Sequence, residues 1–241
     1  MRHHLGVEYR KLSGSLAILL AILAPALPAV MALLAVSTSD RLMTWQIIYF
    51  QFALPIWVTF LMPMAIAAFA TLLGQIEYRA NGWESMFALP VHKYSIFLAK
   101  MFVGISGAVG MMVLMLVLTA IGASGGIALS GNVPPDNFPW MQLLDKTPMI
   151  LAASAPLVVI QMWVAMRFAN FVVPLASGIT GTMVAIAVAM TNTGKADWFP
   201  WVMPFRALSN NQSPSAALLA LLAATGLTVA ATLDLSRATL R

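Results

Sequence analysis

Residues 75–100 read QIEYRANGWESMFALPVHKYSIFLAK. They decide the fold because they split an otherwise almost continuously apolar chain into runs of membrane-spanning length. Read at 3.6 residues per turn, Ile76, Ala80, Trp83 and Phe87 share one face, while Glu77, Asn81, Glu84 and Ser85 share the other. The pattern predicts an amphipathic helix over Ile76 to Ala88. Pro90 has no amide hydrogen and biases Leu89 away from helical geometry, which predicts the end of that helix near Ala88. A short amphipathic helix between two spans either lies on the lipid surface or presses its apolar face into a partner.

The composition around this stretch is that of an integral membrane protein. Hydrophobic residues make up 61% of the 241, charged residues only 9%, and mean hydropathy is +0.87. A hydrocarbon core about 30 Å thick needs roughly 20 apolar residues per helix. Six such segments are predicted, at about 16–36, 47–73, 96–121, 148–168, 171–190 and 215–233, in one all-α transmembrane domain covering residues 1–241. Spans and links account for the whole chain, so an energy-converting or catalytic domain is expected on another polypeptide. The absence of cysteine excludes disulfides, thiolate metal sites and a cysteine nucleophile.

Ahead of the first span, Arg2, Arg10 and Lys11 accompany Leu5, Tyr9, Leu12 and Leu16 at helical spacing. This predicts an interfacial helix, serving as a basic anchor or as a partner contact. The basic start also mimics a signal peptide, but the apolar run from Leu16 to Val36 is long enough to span. Pro25 and Pro28 should kink that span, and Pro55 and Pro63 require neighbouring helices around the second. Small residues at Gly104, Gly107, Ala108 and Gly110, and again at Ser177, Gly181, Ala185 and Ala189, predict close helix packing. Gly122 to Thr147 reads as a Gly- and Ser-rich loop followed by an interfacial piece with Phe138, Trp140 and Met141 at the headgroups. In the last link, Trp198, Phe199, Trp201 and Phe205 suit an interfacial aromatic belt or a short re-entrant helix pair.

Lysine and arginine set the expected orientation. With both termini cytoplasmic, the inner side holds nine of them and the outer side four, Arg41, Lys146, Lys195 and Arg206. Glu77, Arg79, Lys100 and Arg167 are expected at inner span ends, within reach of water. With no ionisable group at mid-membrane, a proton- or sodium-driven carrier is disfavoured. No phosphate-binding GxxxxGK[ST] occurs, and His3, His4 and His92 are too scattered for a metal cage. No intramembrane set of catalytic residues is present, so the chain is not read as an enzyme. Gln161 is the deepest polar residue, read as an interhelical hydrogen bond or a functional-site candidate. The 17 methionines are spread through apolar stretches and read as packing residues.

The order of Glu77, Trp83, Leu89-Pro90-Val91 and Lys100 resembles the first cytoplasmic loop of type 2 ABC exporter permeases, most closely the lantibiotic-immunity branch. QMWVAMRFANFVVPLASGITG, from Gln161 to Gly181, is similar to that branch's junction between spans four and five. DWFPWVMPF, from Asp197 to Phe205, resembles its outer Phe-Pro-Trp loop. The resemblance implies a multi-pass permease of a bacterial cytoplasmic membrane, pairing with a second permease subunit, identical or related, and driven by a separate ABC ATPase. ATP and magnesium would sit on that ATPase, with no cofactor on this chain and no nucleic-acid partner. It further implies that Ile76 to Ala88 is a coupling helix. Trp83 and Phe87 would enter a groove on the ATPase, Glu77, Arg79 and Glu84 would form the rim, and Leu89 and Pro90 would close the segment. Gln161, Trp198, Phe199, Trp201 and Phe205 are the candidate substrate or gate region, where an amphiphilic peptide, drug or lipid would leave the bilayer. The competing reading is a non-transport scaffold that anchors a cytoplasmic partner through the same helix.

Overall fold

The computed structural model describes residues 2–39, 43–79, 93–191, 196–209 and 214–237, and among them only helices, turns and short connections occur. Six helices are long and apolar enough to cross a membrane: Leu16–Thr38, Ile47–Tyr78, Tyr94–Ser130, Trp140–Arg167, Val172–Thr191 and Ser215–Arg237. They are called the first to sixth spans here. A helix at Arg2–Leu12 precedes them, and a short one at Met203–Ser209 lies between the fifth and sixth. The end of the bundle bearing the N-terminal helix is the proximal end, and the opposite end is distal. Spans two and four are the most buried, with one, five and six more exposed.

Each of these helices begins or ends within two residues of its expected span, and the third departs most at its other end. Its helix continues to Ser130, through the Gly- and Ser-rich residues expected to form a loop. The glycines are there for packing. A Cβ on Gly122 would collide with the Ala29 carbonyl, and one on Gly126 would lie 2.8 Å from the Leu33 carbonyl oxygen. Close approach to the first span therefore stabilises helix where composition alone reads turn. Termination comes at Gly131, whose φ of +74° makes it a left-handed helix stop. The fourth span likewise starts earlier than expected, at Trp140. Trp140 and Met141 are exposed on its first turn, whereas Phe138 turns inward onto Trp45 and Tyr49, with centroids 5.1 and 5.4 Å away.

The second span is not a uniform α-helix. Ile47–Ala53 and Trp57–Leu61 are π-helical, with the Leu54 and Met62 amides donating five residues back to Tyr49 and Trp57. Each π segment immediately precedes a proline turn, at Pro55 and Pro63. A proline ring would strike the carbonyl four residues earlier in an α-helix, and the wider turn relieves that conflict. The first amides of this segment are satisfied from the link between the third and fourth spans and from Thr44 just before it. Asp136 accepts from the amides of Trp45 and Gln46 at 2.8 and 3.0 Å, and Thr44 Oγ1 accepts from Ile47 at 3.1 Å. Tyr49, fully buried, donates to the Leu116 carbonyl at 2.7 Å and ties this span to the third.

Candidate functional site

The N-terminal helix places Glu8 and Leu12 one turn apart on its buried face, with Lys11 beside them. Gly14, at φ +82°, lets the chain turn from this helix into the first span. The helix thereby packs across the proximal ends of the second and third spans. Glu77 lies in the last turn of the helix Met62–Arg79, and Lys100 in the second turn of the third span.

These four residues meet. Lys100 Nζ donates to Glu8 Oε2 at 2.7 Å and to Glu77 Oε1 at 2.9 Å, while Lys11 Nζ donates to Glu77 Oε1 at 2.7 Å and to Glu8 Oε1 at 3.4 Å. Side-chain exposure is 1% for Lys100, 3% for Glu77 and 6% for Glu8, against 31% for Lys11. Two carboxylates and two ammonium groups sum to zero charge, so the cluster can be buried as a unit although none of its members could be alone. Burial opposes the charge on Lys11, but its hydrogen bond to Glu77 and the nearby carboxylates outweigh it and raise its pKa above 10.5. The cluster contains no nucleophile. What it can do is hold three helices in one register.

Further polar bonds stitch the same end. Tyr78 donates to the Met166 carbonyl at 2.7 Å, Gln75 to the Ala169 carbonyl at 2.8 Å, and Trp163 Nε1 to Asp234 at 3.0 Å. Arg167 pairs with Asp234 at 3.4 Å. The expected water access of the charged span ends is corrected for two of them. Glu77 and Lys100 are sealed from water because the N-terminal helix covers them and supplies the opposite charges.

Of the residues singled out in the sequence, Ile76 is half-buried against the core and Glu77 belongs to the cluster rather than to an exposed polar face. Arg79 is the last residue of its helix. Trp83, Glu84, Phe87, Leu89 and Pro90 lie outside the described residues, and so does the amphipathic helix expected over Ile76 to Ala88 except for its first four residues, which end the helix Met62–Arg79. Gln161 is fully buried. In the amide orientation its neighbours require, it donates to the Pro174 carbonyl and accepts from the Gly178 amide, both at 3.2 Å, joining the fourth span to the fifth.

The distal aromatics separate. Trp198 is 72% exposed, but Trp201 is only 7% exposed and fills the space left by Gly181, so it is a core residue and not part of an interfacial belt. Phe199 stacks on Trp201 at 5.2 Å, and Phe205 packs half-buried in the short distal helix. Gly178 touches Gln161, and Gly181, one turn on, touches Trp201. The fifth span thus brings these two candidates to adjacent levels. Glu8, Lys11 and Lys100 were not among the residues read as a site. The available signal was an i,i+3 Glu-Lys pair before the first span, facing a second acid and base on either side of the 80–92 link.

Among known proteins, the family described as ABC-2 family transporter protein matches residues 4–188, well over half of the chain. No curated protein and no solved structure matches it. The chain belongs to the ABC-2 transporter family.

Proposed function

We propose that this ABC-2 family member is the membrane permease of an ATP-driven exporter that moves an amphiphilic substrate outward, a lantibiotic-like peptide, a drug or a lipid, across a bacterial cytoplasmic membrane. The energy comes from a separate ABC ATPase carrying ATP and magnesium, and a second permease subunit completes the path. The proximal end faces the cytoplasm, in keeping with its excess of lysine and arginine. Trp83 and Phe87 anchor the ATPase, with Arg79 and Glu84 at the rim. Exposed Trp198 stands at the exit, and Gln161 and Trp201 support the wall behind it.

The observation that carries this reading, beside the family, is the ionic cluster. Glu77 and Lys100 bracket the 80–92 link, and Glu8 is bonded to Lys100. A displacement of the link by ATPase closure would therefore reach the second span, the third span and the N-terminal helix together. Glu77 acts inside this transmission rather than at the rim.

The test is affinity capture of the tagged chain in mild detergent, with mass spectrometry of what accompanies it. Wild type should bring down an ABC ATPase, and Trp83→Ala should bring down several-fold less. Recovery of no ATPase while the six-span bundle stays intact would overturn the transporter reading in favour of a scaffold.

A further inference from the structure

The N-terminal helix is attached to the bundle chiefly by polar contacts. Among residues 6–12 only Glu8 and Leu12 are buried, so a single leucine is the apolar side chain that this part of the helix hides. Glu8 meets Lys100 and Lys11 meets Glu77, each at 2.7 Å, and the Tyr9 hydroxyl shares a 2.6 Å hydrogen bond with Ser106 Oγ. Elements with few buried apolar contacts open well below the cost of global unfolding. The joint behind the helix is open as well. Gly14 takes φ +82°, and a Cβ there would meet nothing within 4 Å. The first span has its own hold on the bundle, because its Ala29 and Leu33 carbonyls lie against Gly122 and Gly126 of the third.

The four charges divide along the same boundary. On the helix, Glu8 and Lys11 pair at 3.4 Å; on the spans, Glu77 and Lys100 pair at 2.9 Å. Each half is neutral, and each carboxylate has a cation on its own side. Parting the helix from the spans breaks both 2.7 Å contacts but strands no charge. Two acids on the helix and two bases on the spans would bury the same net charge, yet their separation would leave like charges side by side on each half. A permanent seal has no need of charge at all, since apolar residues in place of a buried ionic set are often neutral or stabilising.

We propose that the N-terminal helix is a releasable clasp across the proximal ends of the second and third spans, hinged at Gly14, whose four charges exchange partners between a closed and an open state. Closed, Lys11 holds the second span and Glu8 the third, and the three helices move together. Open, the bond between Glu77 and Lys100 remains, Glu8 turns to Lys11, and the two spans lose the brace across them. The inference rests on the six-span fold and stands apart from the transport reading.

Hydrogen–deuterium exchange of the full chain in phosphatidylcholine nanodiscs, read by mass spectrometry and corrected for intrinsic rates, tests it. A helix of 11 residues is marginal in water on its own, so opening exposes its amides as one block. In wild type the amides of residues 6–12 should exchange at a common rate, about tenfold or more faster than those of buried Met111, Met112 and Met115 in the third span. Glu8→Lys with Lys11→Glu keeps the helix neutral but sets like charges across both 2.7 Å contacts. That pair should speed the helix by roughly another tenfold while the spans stay protected. Adding Glu77→Lys and Lys100→Glu restores complementary signs and should return most of the protection. Gly14→Ala should speed the helix by about five- to thirtyfold, because the closed state needs a left-handed residue there. It alters no charge, so it tests the clasp even if the charge variants fold poorly. Helix amides as slow as those of the third span in wild type, rates graded from the N-terminus as simple fraying gives, or no response to Gly14→Ala would overturn the proposal. A fourfold variant with protected spans and an unprotected helix would overturn the exchange of partners.

Discussion

The two ends of the bundle are held by different balances of charged and aromatic contact. At the proximal end, directional contacts between full charges join the N-terminal helix to the second and third spans, and Tyr78, Gln75 and Trp163 extend the network to the fourth and sixth. At the distal end charged contacts are fewer, Asp136 with the amides of Trp45 and Gln46 and Arg206 with Asp197 at 2.8 Å, and aromatic contact dominates: Trp45, Tyr49 and Phe138 form one group, and Phe199 and Trp201 form another. Charged hydrogen bonds lose their donor–acceptor geometry when a partner shifts by an ångström or two. Aromatic burial is non-directional and tolerates sliding. On the proposed transport reading, the proximal helices would keep one register or switch as a unit, and the distal end would be the one that repacks. That asymmetry suits a molecule pushed from one end and opened at the other.

The largest effect should come from breaking the proximal cluster. Lys100→Met leaves Glu8 and Glu77 sharing only the partly exposed Lys11, without their buried cation, and the expected loss is about 3–5 kcal/mol. The check is the thermal midpoint of the detergent-solubilised chain. Adding Glu8→Gln and Glu77→Gln should recover most of that stability, because the only charge of the cluster that then remains is the partly exposed Lys11. If the cluster transmits force, this triple variant should retain its ATPase but couple hydrolysis to transport poorly. Full coupling in a stable triple variant would reduce the cluster to a packing device.

A smaller loss, about 3 kcal/mol, is expected from Trp201→Ala at the distal end, where removal of the indole opens a cavity against Gly181. Here the remedy is volume and not charge. Gly181→Val should destabilise the wild type, because its side chain would strike the Trp201 ring, yet it should restore part of the Trp201→Ala loss. Additive thermal shifts for the two substitutions would show that Trp201 does not owe its place to that glycine.

The same contrast explains what could be read in advance. Six spans were legible because twenty-residue apolar runs admit few other structures, and the family resemblance followed motif order. The extension of the third helix was not, because Gly122 and Gly126 have turn-forming propensity locally and acquire a packing role only once the first span lies against them. Trp201 looked interfacial for a related reason. An aromatic residue between polar flanks suits a headgroup layer equally well until Gly181, twenty residues earlier, offers it a slot. The ionic cluster was hardest, since its residues come from positions 8, 11, 77 and 100. Nothing in local pattern pairs charges so far apart, and a charge near a span end reads by default as facing water.

The smallest effect sharpens the comparison through pH. Lys11 is the most accessible member of the cluster, and Glu8, Glu77 and Lys100 are the ionisable groups around it. Its pKa is raised on folding, so its contribution is complete below its ordinary 10.5 and is lost as pH rises through the higher folded value. Partial exposure keeps that contribution to about 1 kcal/mol or less. Through Lys11, stability should therefore be insensitive to pH near neutrality and fall slightly on the alkaline side. In Lys11→Met the midpoint should be lower at neutral pH and the alkaline slope flatter. Probes at the two ends make the outcome specific to place. Accessibility of a cysteine placed at exposed Val7 should rise with alkalinity in the wild type, while one replacing exposed Trp198 should report no matching change. Parallel opening at both positions would mean that the bundle yields as one body, and that the ionic end is not independently hinged.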